Sequence, residues 1–110
     1  MASKRRKKKR PVLGLDQQTI AELKAAIEQA QVELGEADEN VQAARTDYDA
    51  ALETYADLIV NGTAAQRDAQ AVVVIGTARA LNAADAAFDQ KDLNLRALMA
   101  ALLFRMPEGE

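Results

Sequence analysis

The 110-residue chain contains no cysteine, no histidine and no tryptophan. Without cysteine there is no disulfide and no thiol chemistry. Without cysteine and histidine, a zinc site with sulfur or nitrogen ligands is excluded. Its only serine is Ser3, so none of the usual nucleophile–base pairs of covalent catalysis can be assembled. The glycines at 14, 35, 62, 76 and 109 are isolated from one another, which leaves no glycine-rich phosphate loop. Aromatic residues number four: Tyr48, Tyr55, Phe88 and Phe104. The chain is therefore expected to be non-enzymatic, with no cofactor and no small-molecule substrate.

Long apolar runs are also missing. The longest apolar-rich candidate, Leu93 to Phe104, contains Asn94 and Arg96 and is shorter than the ~18 residues of a membrane span. After the first ten residues only Val12-Leu13-Gly14-Leu15 is apolar before Asp16, whereas a secretion signal needs roughly 7–15 apolar residues. The expected location is a virion or the cytoplasm. Asn61-Gly62-Thr63 matches a glycosylation acceptor, but no secretory signal accompanies it.

What is present is divided sharply by charge. Seven of the fourteen basic residues are Lys4, Arg5, Arg6, Lys7, Lys8, Lys9 and Arg10, with no acid among the first ten positions. The remaining hundred residues hold seven basic and seventeen acidic side chains, a net of -10. Like charges in such a run repel and have nothing to bury, so residues 1–15 are expected to form a disordered arm with a partner of its own. Pro11 disfavours helix at Arg10 and marks a boundary.

Beyond the arm the apolar spacing alternates three and four. Ile20, Ile27, Leu34, Val41, Tyr48 and Tyr55 form one set, and Leu23, Ala30, Ala37, Ala44, Ala51 and Leu58 the other. A heptad held for nearly six repeats signals helix–helix packing. Asp16 or Thr19 opens this helix, and Thr19-x-x-Glu22 fits a capping box. Asn61-Gly62 ends it, since both residues tolerate the left-handed conformation of a C-cap. Thr63-x-x-Gln66 caps a second helix, closed by Pro107 and Gly109. Within that helix Val72-Val73-Val74-Ile75 is β-like in composition, but its alanine-rich flanks favour helix. Val74, Leu81, Phe88, Leu95 and Leu102 recur every seven residues as its main stripe.

The expected fold is all-α: a long antiparallel helical hairpin, or two-helix coiled coil. Residues 1–15 form the arm, 16–106 the hairpin and 107–110 a tail. The first helix spans about 16–60, the turn 61–63 and the second helix about 64–105. A turn centred on Gly62 and Thr63 makes facing residue numbers sum to about 125. Small then meets large: Ala51 faces Val74, Ala44 faces Leu81, Ala37 faces Phe88 and Ala30 faces Leu95. Two layers fit poorly, Leu34 against Lys91 and Ile20 against Arg105.

Alanine supplies 24 residues and buries little, so the core is thin and oligomerisation or docking is expected to complete it. The candidate protein interface is Leu93, Leu95, Leu98, Met99, Leu102, Leu103 and Phe104, which cover most of the helix circumference where one seam buries a single stripe. Acids at 49, 53 and 57 share a face of the first helix outside the seam. They are expected to form a solvated surface, or an acidic surface for another subunit's arm.

The arm offers no aromatic for base stacking and no Asn or Gln for reading base edges, so nucleic-acid contact through Lys4 to Arg10 is expected to be nonspecific. A small helical body with a polybasic arm resembles, in general layout, the minor structural and scaffolding proteins of phage particles. That resemblance implies an arm on packaged nucleic acid and helices docked on a larger assembly. The length also resembles secreted helical hairpins with a Trp-x-Gly turn, but the turn here is Asn61-Gly62-Thr63 and that function is not carried over. The alternatives are a cellular dimeric nucleic-acid-binding or adaptor module, and a binder of anionic membrane surfaces, for which neither lipid anchor nor amphipathic insertion is evident.

Overall fold

A computed structural model describes residues 19–105 as two α-helices, α1 (Ile20–Asn61) and α2 (Ala64–Arg105), of 42 residues each. They pack side by side as an extended hairpin, each helix about 63 Å long at 1.5 Å per residue. The basic arm and the tail from residue 107 lie outside the described residues.

Local chemistry sets each helix start. Thr19, at φ -76° and ψ 165°, is the N-cap of α1. Its hydroxyl accepts from the Glu22 amide at 3.1 Å, and the Thr19 amide donates to Glu22 Oε1 at 2.9 Å. Thr63 and Gln66 repeat this reciprocal pairing before α2, at 3.1 and 2.9 Å. Each box satisfies two amides that the helix itself leaves without a carbonyl.

The turn corrects one expectation. Gly62 is not left-handed: its φ is -104° and its ψ 172°, extended backbone open to any residue. Its amide donates to the Leu58 carbonyl at 2.9 Å. Glycine is needed here for space. A Cβ at position 62 would stand 2.7 Å from Leu58 Cδ2 and 2.9 Å from Leu58 O. Arg67, one turn into α2, reaches back and donates from Nη1 to the Gly62 carbonyl at 2.9 Å and the Leu58 carbonyl at 3.4 Å. A cation on the last carbonyls of a helix also opposes the negative end of its dipole.

The heptad positions form the seam. Leu23, Ala30, Ala37 and Ala51 of α1 and Leu98 of α2 are buried. Leu23, Ala30 and Leu98 make one cluster, with Ala26, Ile27, Leu95, Ala101 and Leu102 packed against it. That cluster sits at the end where α1 starts and α2 finishes. Toward the turn the seam is thinner and partly polar: Gln70 Nε2 donates across it to the Ala51 carbonyl at 3.0 Å. The Val72–Ile75 run is helical. Lys91, an awkward partner for Leu34, instead meets the neighbouring Glu33, Nζ to Oε1 at 3.0 Å. The alkyl stem crosses the seam edge while the ammonium finds a carboxylate.

Candidate functional site

Three surfaces of the hairpin expose apolar or charged side chains. The first is the interface set. Leu98 is buried, and Leu95 and Leu102 pack against the same cluster, so these three serve the hairpin itself. The other four face solvent, Leu93 at 60%, Met99 at 46%, Leu103 at 73% and Phe104 at 86% exposure. The structure thus divides the seven residues: Leu95, Leu98 and Leu102 turn inward, and Leu93, Met99, Leu103 and Phe104 face outward.

The second surface lies near the turn and was not singled out from the sequence. Leu52, Tyr55, Ala71, Val74 and Ile75 line an open apolar groove of about 240 Å³ between the helices. Ile59, Val60, Val72 and Val73 are also exposed around this end. The spacing held a clue, since Leu52 and Ile59 repeat at seven residues just beside the core positions Ala51 and Leu58. Ala71, the one alanine in the lining, fills little of this space.

The third surface is electrostatic. α1 carries ten acidic residues against Lys24 and Arg45, whereas α2 carries four acids and five bases. Glu28, Glu36, Glu39, Asp49 and Glu53 all stand exposed on the side of α1 opposite its seam. None of these five joins a salt bridge among the described residues. Glu33, at the seam edge, is different. The Gln29 side-chain amide at 3.1 Å, and then Lys91, hold its carboxyl below the ordinary glutamate range.

Among the described residues no group of acids is arranged to hold a metal ion. The chain matches no family model, no curated protein and no solved structure. Lys4 to Arg10, the candidate nucleic-acid contacts, fall outside the described residues. What the structure does give is the place where they attach. The chain enters α1 at Thr19, at the pole where the Leu23–Leu98 cluster lies, so the arm joins the hairpin beside the exposed Leu103 and Phe104.

Hydropathy adds one further property. α2 contains an 18-residue stretch of mean hydropathy 1.3, enough by length and composition alone for a membrane-crossing helix, and no part of that stretch is fully buried. This stretch passes on average hydropathy, because alanine, valine and isoleucine outweigh the polar residues among them.

Proposed function

We propose that this protein is a non-enzymatic assembly component, of the kind found in a phage particle, which grips polyanions through Lys4–Arg10 and docks on a protein shell or further copies through exposed apolar side chains. The observation that carries this reading is the sharing of one pole. The segment that carries seven consecutive cations enters the rod at Thr19, at the end where Leu103 and Phe104 stand free of the seam. A protein tethered at that pole would present its cations directly to whatever nucleic acid lies against the same surface. Sequence-independent phosphate contact suits the arm, since lysine and arginine alone position a backbone without reading bases.

The test is binding of the full-length protein to duplex DNA across a salt series. If all seven cations engage, the log–log slope is about -6. Replacing Lys4 to Arg10 with glutamine should abolish most of that slope while leaving the helical circular dichroism unchanged. Undiminished binding after this replacement would sink the reading. The apolar stretch of α2 favours one second reading, an anionic membrane surface as the polyanion. Vesicles with and without acidic lipid, run in parallel, distinguish it: binding to acidic vesicles but not to DNA would transfer the arm's role to lipid.

A further inference from the structure

α1 and the arm carry opposite charge on one chain. Glu28, Glu36, Glu39, Asp49 and Glu53 project from the side of α1 that α2 does not cover. Its nearest base is Lys24, one helical turn before Glu28, and Arg45, like Lys24, lies one residue beyond a core position, at the flank of that side. The arm holds seven bases and no acid, and eight residues lie between Arg10 and Thr19.

Chain length sets what the arm can reach. At ~3.3–3.6 Å per residue, Arg10 reaches at most about 30 Å from Thr19, and Lys4 about 50 Å. Along a helix rising 1.5 Å per residue, Glu28, Glu36 and Glu39 lie about 14, 26 and 30 Å from Thr19, whereas Glu53 lies about 51 Å away. The middle of the arm therefore spans the first three acids with slack, while Glu53 sits at the limit of full extension. Individual surface ion pairs are weak. Several acting together on a short tether are not, because a segment held this way sees its site at roughly millimolar effective concentration.

We propose that Lys4–Arg10 docks on the outer face of α1 in its own chain, at Glu28, Glu36 and Glu39, and that a polyanion must displace it. The docking stands on reach and charge. The competition with nucleic acid rests on the function proposed above. Together they make the arm available chiefly where phosphate is concentrated, because the two partners compete for the same cations.

The absence of cysteine allows a direct test in the full-length chain. A nitroxide on Ser3→Cys should broaden the amides of residues 28–39 at low salt, and broadening should vanish at about 0.5 M salt, where screening is nearly complete beyond ~4 Å. The Glu28→Gln, Glu36→Gln, Glu39→Gln variant should lose the broadening. If the arm is free only a tenth to a third of the time, that variant should also bind DNA about 3- to 10-fold more tightly at low salt. A distal control, Glu53→Gln, should change neither readout. No broadening over 28–39 at low salt would overturn the proposal. So would broadening in a mixture of spin-labelled unenriched chains and unlabelled ¹⁵N-enriched chains, because the contact would then be between molecules. Broadening in a protein that binds no DNA would leave the docking intact and defeat the nucleic-acid reading instead.

Discussion

Three glycines test the structure with one substitution whose sign should change from site to site. Gly35 and Gly76 lie inside helices, and an added Cβ at either meets nothing within 4 Å. Alanine there removes the backbone entropy that glycine forfeits in a helix, so each change should stabilise by about 1 kcal/mol. For a domain of this size that raises Tm by roughly 5 °C. Gly62→Ala should do the reverse. Its φ of -104° suits alanine, so no dihedral penalty enters and the cost is steric. The new Cβ would lie 2.7 Å from Leu58 Cδ2 and 2.9 Å from Leu58 O. Leu58 can swing its side chain only out of its half-buried place in the seam. Its carbonyl is held by the Gly62 amide at 2.9 Å and by Arg67. Forced repacking of this kind costs ~1–3 kcal/mol, which lowers Tm by about 10 °C for a loss near 2 kcal/mol. Urea and thermal melts followed by circular dichroism, all at one protein concentration because self-association would shift the midpoint, give the three differences. Gly62→Asn decides between the two accounts of the turn. A left-handed cap would accept asparagine, whereas the extended geometry makes it as costly as alanine. A neutral Gly62→Ala, or an asparagine variant as stable as the parent, would refute the steric argument.

Leu23 is fully buried, so Leu23→Ala should cost about 2–4 kcal/mol, while Leu103→Ala, at 73% exposure, should stay within about 0.5 kcal/mol; the reverse order in urea melts would mean that the seam has been placed on the wrong stripe. Arg67→Met removes both side-chain bonds to the Leu58 and Gly62 carbonyls and should destabilise by about 1–2 kcal/mol, measured the same way. Glu33 titrates below the ordinary glutamate range because Gln29 and Lys91 stabilise its charged form. Its contribution is therefore complete at neutral pH and is lost as pH falls from that ordinary range through the lower folded value. The stability difference between wild type and Glu33→Gln should be flat near neutrality and shrink in acid, and a difference that grows in acid would contradict the assigned shift.

The helical hairpin was legible because its pattern is long. Two apolar sets repeating every seven residues leave little room for another architecture, and Thr19 and Thr63 each come with a partner three residues on. What stayed hidden was local. Nothing in Asn61-Gly62-Thr63 separates a left-handed glycine from an extended one, since glycine can adopt either backbone and only the position of Leu58 shows that space decides. Lys91 reads as a misfit when facing residues are paired by arithmetic alone, because a salt bridge forms with the flanking Glu33 and not with Leu34 opposite. Arg67 occupies a core position in the repeat, and its reach back to the turn depends on a side-chain path that spacing does not encode. For the apolar set at residues 93–104, the sequence shows an excess over one stripe. The structure names the four side chains in excess, Leu93, Met99, Leu103 and Phe104. The groove by the turn escaped notice because Val72–Ile75 is apolar at consecutive positions, and a run without period does not say which members point outward.

A hairpin that turns back on itself after a 42-residue helix has the start of α1 and the finish of α2 at one pole and a single glycine bend at the other. The groove lined by Leu52 and Tyr55 is then held about 50 Å, at 1.5 Å per residue, from the point where the arm attaches. Whatever occupied the two places would be kept apart by a strut of fixed length, so the hairpin can act as a gauge of spacing as well as a means of attachment.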